Sequence, residues 1–239
     1  MRTDYDLMYE TIAGFSMARP TADGAADQRI TTEPTVSRRI SLPERAHRGM
    51  GLRELLEHRS SALAYGTDGL FITERLASLR DALRRDRSDW GDTARDVPLE
   101  GFLFALNCID LPPGVYRVDD DIAAHIGDLP TEEHREDLAV QKEFARASAI
   151  VSVAADLDRA DTWGGTHGYR IAMARAAAVV YDFHLDCVGQ GLVGTVFAGF
   201  IPASVRTSLQ SDGARRQQMF AATVAPPLRE EPAASGTAP

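Results

Sequence analysis

The residues best suited to proton chemistry fall in one short run, His167, Tyr169 and Arg170, beside Trp163 and the pair Gly164-Gly165. Histidine titrates near neutrality, so His167 is the histidine suited to acid–base work. Tyr169 carries a phenol that could hand on a proton, and a tyrosine at the start of a helix serves packing equally well. Arg170 is no general base, because a guanidinium gives up its proton only above about 12. Elsewhere, Asp119-Asp120-Asp121 offers three consecutive carboxylates, read as a solvated turn after a strand, with a metal site as the lesser reading. His184 and Asp186 stand two apart, which separates them on a helix. The sequence holds no Gly-x-Ser-x-Gly, Cys-x-x-Cys, phosphate-binding-loop or dinucleotide fingerprint.

These residues need elements to hold them. From Gly168 the chain runs for about twenty residues without proline, and Ala172, Ala176, Val179, Val180, Phe183 and Cys187 recur at helical steps. A long helix is expected there, opening on a Gly168-Tyr169-Arg170 turn and stopped by Gly189 and Gly191. Small residues at Ala174 and Ala176 to Ala178 permit close approach of another helix or of a second subunit. Upstream, helices are expected over about 51–59 and about 73–85, the latter with Thr73 as N-cap and Leu76, Leu79 and Leu83 on one face. Gly101 to Ile109 reads as a strand, Leu111-Pro-Pro-Gly114 as a turn, and Val115 to Val118 as its hairpin partner. A helix is expected around 131–147, beginning at the capping-box-like Thr131-Glu-Glu-His134. Ala149 to Ala155 and Met219 to Val224 read as strands. Helices and strands interleave without a regular βαβ rhythm, which favours an α+β fold.

The chain of 239 residues suits one folded domain with a full core. Residues 1–36 read as an irregular extension with one short helix over Tyr9 to Phe15, residues 37–225 as the domain, and 226–239 as a disordered tail. A net charge of −9 argues against a nucleic-acid-binding surface, which needs a basic stripe. Arg80, Arg84, Arg85 and Arg87 read as a solvated helix face. Lys142 is the lone lysine, a bias of the kind that high-GC genomes impose. Cys108 and Cys187 lie in apolar runs and are expected to be free thiols in a reducing cytoplasm. Without a signal peptide or an apolar run of spanning length, a soluble cytoplasmic protein is expected.

The order of these pieces resembles the nitroreductase-like flavoproteins. It is most similar to their thiazole/oxazole-forming peptide dehydrogenase branch, the azoline oxidases of modified-peptide biosynthesis. The likeness rests on Ile40-Ser-Leu-Pro43, Leu55-Leu-Glu-His-Arg-Ser60 and Leu111-Pro-Pro-Gly-Val-Tyr-Arg117. It continues through Gln141 to Ala155, Gly168-Tyr169-Arg170-Ile171, Gly191-Leu192-Val193 and Val196-Phe197-Ala198-Gly199-Phe200. Leu-Pro-Pro-Gly-Val-Tyr is the most branch-specific motif. The resemblance implies an α+β fold with a central mixed β-sheet flanked by helices, in an intertwined dimer with FMN at the interface.

By that resemblance, Arg59 and Ser60 bind the FMN phosphate through charge-assisted hydrogen bonds, unless they simply end a helix. Phe197, Ala198 and Gly199 face the flavin ring, unless Gly199 is a plain turn glycine. Tyr169, Arg170 and His167 occupy the catalytic region, and no metal is implied. The family pattern is interrupted in four places. Ala62 stands at a basic position, a Pro-Ser-x-Gly loop is shortened between Arg95 and Gly101, no arginine follows the last strand before Arg229, and Arg170-Ile171 replaces a Lys-Tyr pair. Two functions follow. One is an FMN-dependent oxidoreductase acting on a modified peptide of azoline, dehydroamino acid or imine type. The other is a flavin-free member of the fold that serves as partner subunit to a paralogue, as homodimer or heterodimer, or catalyses a non-redox step such as cyclisation.

Overall fold

Seven strands pair in the order β1-β4-β3-β2-β5-β7-β6 in the computed structural model, which describes residues 35–44, 50–200, 202–209, 211 and 215–229. They are β1 (Arg38–Ser41), β2 (Leu99–Ala105), β3 (Gly114–Val118), β4 (Ile122–Gly127), β5 (Ala149–Ala155), β6 (Val196–Phe197) and β7 (Gln217–Val224). The helices are α1 (Leu52–His58), α2 (Thr73–Asp96), α3 (Leu157–Gly189) and α4 (Pro202–Leu209), with 3₁₀ turns at Glu132–Leu138 and Lys142–Arg146. The expected α+β class holds. The short helix expected over Tyr9 to Phe15 lies outside the described residues, as does the tail beyond Arg229. Among the described residues, no helix is long and apolar enough to cross a membrane.

The two-residue alternation of the strands sends side chains to two covered faces. Leu103, Ala105, Val151, Val153, Ala222 and Val224 face α2 and α3, where they meet Leu76, Leu79, Leu83, Ala172, Ala176, Val180 and Phe183. Phe102, Phe104, Ile150 and Ala221 face the other way, into a layer containing Leu138, Phe144, Val205 and Leu209. Burying each large side chain contributes roughly 1.5–3 kcal/mol, which is why β2 and β5 are apolar on both faces.

Every pairing of named strands is antiparallel, which corrects the expected mixed sheet. The crossover through α3 does return β6 in the direction of β5. Strand β7 inserts between them and is antiparallel to both, so the parallel pair never forms a ladder. Strands β1 and β4 lack strong alternation signals and were not expected; their edge pairing aligns Arg38 with His125 and Ser41 with Ile122.

Two helix expectations change. The segment expected as a helix over 131–147 forms two short 3₁₀ turns instead. Thr131 Oγ1 contacts His134 Nδ1 at 2.8 Å rather than capping a helix. Between the turns, Val140 donates its N–H to the Gly199 carbonyl and Ala139 bridges to Phe200, contacts that a continuous helix would forbid. Helix α2 is also capped differently from expectation. Asp110, from the loop after β2, accepts hydrogen bonds from the Ile72 and Thr73 amides and from Thr73 Oγ1 at 2.8, 2.9 and 2.5 Å. A carboxylate supplied by a distant loop thus satisfies the donors that an N-cap side chain would otherwise meet.

Candidate functional site

Helix α3 places most of the expected catalytic residues, and its backbone explains where. The chain enters helix at Asp156, whose carboxylate accepts the Arg159 amide at 2.9 Å as an N-cap. The helix then breaks at Gly164-Gly165, with Gly165 at φ +55°. The expected turn at Gly168-Tyr169-Arg170 is therefore helical, and the break comes earlier. Gly168 has a different task. A Cβ there would lie 1.9 Å from the Ala160 carbonyl oxygen, so only glycine lets the two helical pieces fold against each other. The C-terminus ends in a Schellman arrangement, as the glycine pattern suggests. Leu192 donates to Cys187 O at 3.0 Å and Gly191, at φ +78°, donates to Val188 O at 2.9 Å.

His167, Tyr169 and Arg170 sit just past the break, all exposed. The His167 ring stacks on Trp163 at 6.0 Å between centroids, so the aromatic neighbour read from the sequence is a real contact. Trp163 also borders an open recess of about 590 Å³ lined by Asp96, Asp156, Asp158, Arg159 and Arg215. Within that recess Arg159 is committed to structure, donating to the carbonyls of Asp96 and Arg95 at 2.8 Å each.

Arg59 and Ser60 lie at the other end of α3. Helix α1 stops at His58, Arg59 leaves helical conformation, and its amide returns to Leu55 O at 2.9 Å. Among the described residues, no hydrogen bond or ion pair holds the Arg59 guanidinium. Its charge acts on His184, a buried ring of α3 driven from 6.5 down to about 4, first by desolvation and then by Arg59. Since Arg59 acts at the level of His184, the run from Tyr169 to His184 corresponds to about 22 Å of helix at 1.5 Å per residue. One subunit therefore does not bring Tyr169 and Arg59 to the same point.

The third expected group is Phe197, Ala198 and Gly199. Phe197 packs on Phe144 at 4.3 Å and on Phe200 at 5.3 Å, on the sheet face opposite α2 and α3. Ala198 is exposed. A Cβ added at Gly199 would meet only the Val140 side chain, at an ordinary 3.5 Å, so local packing does not demand glycine there.

Two positions at which the resemblance is interrupted have visible consequences. The Ala62 amide donates to Gly194 O at 3.0 Å and its carbonyl accepts from Thr195 Oγ1 at 2.8 Å, tying the segment after Arg59 to the approach of β6. Arg229 pairs with Asp68 at 2.9 Å on the surface. The run from Leu111 to Tyr116 closes the β2–β3 hairpin. Leu111 is buried there, and Tyr116 donates its hydroxyl to the Pro112 carbonyl at 2.8 Å.

The charged features away from these groups resolve into structure. Arg80, Arg84 and Arg87 of α2 meet the Asp119-Asp120-Asp121 run, with Arg84 Nη2 3.0 Å from Asp121 Oδ1, so the helix face expected to be solvated is paired instead. Among the described residues, no group of three or more His, Cys, Asp or Glu side chains could hold a metal ion. Cys108 and Cys187 are free thiols, and burial pushes Cys108 up to about 12, which leaves it protonated and unreactive. Sequence reasoning passed over His184. Its signal was its place beside Phe183 and one turn from Val180, on the helix face that turns inward.

An FMN phosphate fits Arg59 and Ser60: a half-buried guanidinium without a partner among the described residues and an exposed hydroxyl are the donors that a phosphate recruits. The structure offers no comparable fit for the flavin ring at Phe197, which is occupied by its own aromatic contacts.

No protein-family model and no curated protein matches the chain. Solved structures do. One from Anabaena variabilis ATCC 29413, assigned as a nitroreductase, superposes with TM-score 0.64 at 20% identity, over 79% of this chain and 41% of that one. One from Ralstonia eutropha JMP134, also assigned as a nitroreductase, gives TM-score 0.61 at 18% identity, over 83% of this chain and 96% of that one. A third, from Exiguobacterium sibiricum 255-15 and in complex with FMN, gives TM-score 0.51 at 10% identity, over 78% of this chain and 93% of that one. The chain thus spans less than half the length of the first and nearly all of the other two. At these identities the likeness establishes the fold alone: the chain has the nitroreductase fold.

Proposed function

We propose that the protein is an FMN-dependent oxidoreductase acting on a modified peptide, with its site completed by a second copy of the chain. The observation that carries this reading is the Arg59 guanidinium, without a partner among the described residues, with Ser60 beside it, in a fold that a structurally similar protein has in complex with FMN. When bound, FMN would supply hydride-equivalent redox chemistry. The chain's own contribution at that end is to neutralise a phosphate: Arg59 as cation, Ser60 as hydroxyl donor. His167 and Tyr169 are the groups that could hold or move a proton, with Arg170 as a neighbouring fixed charge.

A second copy is part of the proposal because of the distance along α3. Two antiparallel copies of that helix would set the Tyr169 end of one against the Arg59 end of the other. The outward side of α3 suits such packing, since Ala174 and Ala178 are exposed between Arg170 and Tyr181. The peptide substrate rests on the Leu111–Arg117 likeness, a run whose residues here close a hairpin.

A specific observation favours a second reading, a flavin-free partner subunit or non-redox enzyme. At the phosphate end Ala62 stands where the family has a basic residue, and Arg229 is engaged with Asp68. One experiment separates the two readings. Purified protein reconstituted with FMN should be yellow and hold about one flavin per subunit, and Arg59→Ala should weaken binding roughly ten- to 150-fold, the value of one charge-assisted contact. Protein that stays colourless in excess FMN supports the second reading. Flavin binding unchanged in Arg59→Ala removes Arg59 from the site.

A further inference from the structure

Away from these groups, one cluster sets a serine hydroxyl against an imidazole. Ser37, just before β1, holds its Oγ 2.6 Å from His125 Nδ1 of β4. Arg38 and His125 are cross-strand partners, and the Ser37 amide donates to the His125 carbonyl at 3.0 Å, which fixes the register. The β3–β4 ladder shifts register between Val115 and Tyr116, beside the pairing of Tyr116 with His125. Bulges of this kind re-aim side chains. Gly114 leaves the space that the ring takes, since a Cβ there would lie 2.5 Å from His125 Nε2. Tyr116 packs edge-on against the ring at 5.0 Å between centroids, and its own hydroxyl is spent on the Pro112 carbonyl.

The neighbours of the ring set the roles of its two nitrogens. The Asp128 carboxylate lies 3.9 Å from Nε2, which favours the tautomer with its proton on that nitrogen. Nδ1 then carries the lone pair and accepts from the Ser37 hydroxyl. Serine, imidazole and carboxylate stand in the order that activates a hydroxyl as a nucleophile. A cation is at hand as well. Arg38 shares a sheet face with His125, because directly paired residues do. Burial pushes the Tyr116 phenol up and the Arg38 charge pulls it back, which places that guanidinium near the same cluster. Among the described residues no hydrogen bond or ion pair engages Arg38, so it is available to an oxygen on which charge develops.

We infer that Ser37 is a nucleophile activated by His125, and that this cluster cleaves activated esters by way of an acyl-serine. The bond from Ser37 Oγ to the acyl carbon forms as the bond from that carbon to the leaving oxygen breaks. The hydroxyl proton passes to His125 Nδ1 and on to the departing oxygen. Water then attacks the acyl-serine, its proton returns by the same nitrogen to Ser37 Oγ, and a carboxylic acid leaves. Ser37 is exposed and the Asp128 side chain is 97% exposed, so the acyl donor meets the cluster in open solvent. Such a donor must bring its own good leaving group, as an aryl ester does. None of the residues of the flavin proposal takes part, so this activity is independent of that reading.

Purified full-length protein given para-nitrophenyl acetate, without flavin or reductant, tests the assignment. Nitrophenolate should appear faster than in buffer alone, and peptide mapping after an acid quench should find the acetyl group on Ser37. Lys142 is the lone lysine, so few amines compete for the label. Ser37→Ala, a change at an exposed position, should remove that label and most of the release. His125→Gln should slow release roughly hundredfold, the lower end of what a general base contributes. The far-ultraviolet spectrum checks that His125→Gln folds, and Ser37→Ala decides alone where it does not. Release no faster than in buffer, acetyl found only on Lys142 or the α-amino group, or a wild-type rate in Ser37→Ala or folded His125→Gln overturns the assignment.

Discussion

Replacing Asp86 by alanine strands the Arg175 guanidinium in the interior. Arg175 has a side chain 0% exposed and donates to Asp86 Oδ1 and Oδ2 at 2.9 and 2.7 Å and to the Val97 carbonyl at 2.7 Å. Its guanidinium carbon also lies 5.8 Å from the centre of the Trp90 ring. These contacts tie α2, α3 and the lead into β2 at one point. Breaking a buried pair from one side costs about 3–5 kcal/mol, because the remaining charge is out of water and has lost its counter-charge. Asp86→Ala and Arg175→Met should each lose that much. The double variant Asp86→Leu/Arg175→Met removes both charges and fills the space, leaving chiefly the Val97 carbonyl unpaired, a penalty of about 1–3 kcal/mol. The double variant should therefore be more stable than either single one, with a coupling energy of about 3 kcal/mol or more. Urea unfolding reads this directly. With a slope of about 3 kcal/mol per molar, each single change should lower the midpoint by about 1–1.7 M at unchanged slope. Single changes costing less than about 1 kcal/mol, or a double variant costing the sum of the two, would refute the argument that desolvation governs this pair.

The remaining predictions concern His184, Gly168 and Tyr169. His184 is held near 4 in the folded state against 6.5 ordinarily, so the unfolded chain binds a proton there that the folded chain refuses. Stability from this group is present above that window and declines as pH falls through it, by about 2 kcal/mol between pH 7 and pH 5. His184→Gln should remove that part of the pH dependence of the urea midpoint, and an unaltered difference between the two pH values would show that the ring is not the responsible group. Gly168→Ala forces a methyl against the Ala160 carbonyl oxygen, a fixed backbone atom, and should cost about 3 kcal/mol or more, read as a fall in melting temperature. A near-neutral result would mean the two pieces of α3 separate easily. Tyr169→Phe should slow turnover with a peptide substrate if the phenol carries a proton, whereas wild-type rates would make that ring structural.

Much of the framework was legible before any coordinates. The α3 core face is Ala172, Ala176, Val179, Val180, Phe183 and Cys187, all buried, and the α2 face is Leu76, Leu79 and Leu83, because helical periodicity is a local property that burial then uses. The β2–β3 hairpin was visible in its proline-glycine turn. Segments whose conformation is decided by partners elsewhere were not legible. Residues 131–147 have helix-compatible composition, yet pairing of Ala139 and Val140 with the chain at Gly199 and Phe200 breaks them into 3₁₀ turns. Strands β1 and β4 are too short and too mixed to announce themselves, and they form because each satisfies the other's backbone at the edge of a sheet that already exists.

The candidate site divides the same way. Residue type alone determined that His167 and Tyr169 can move protons, that Arg170 cannot act as base, and that Arg59 and Ser60 can bind an anion, since these are properties of the side chains. Only the tertiary structure decided that Arg59 lies beside a neutral His184 without a partner among the described residues while Arg229 pairs with Asp68, and that Arg175 is spent on Asp86. It also decided that α3 separates Tyr169 from the level of Arg59 by about four turns. Charge partners and distances through space are set by how elements pack, and a linear sequence records neither.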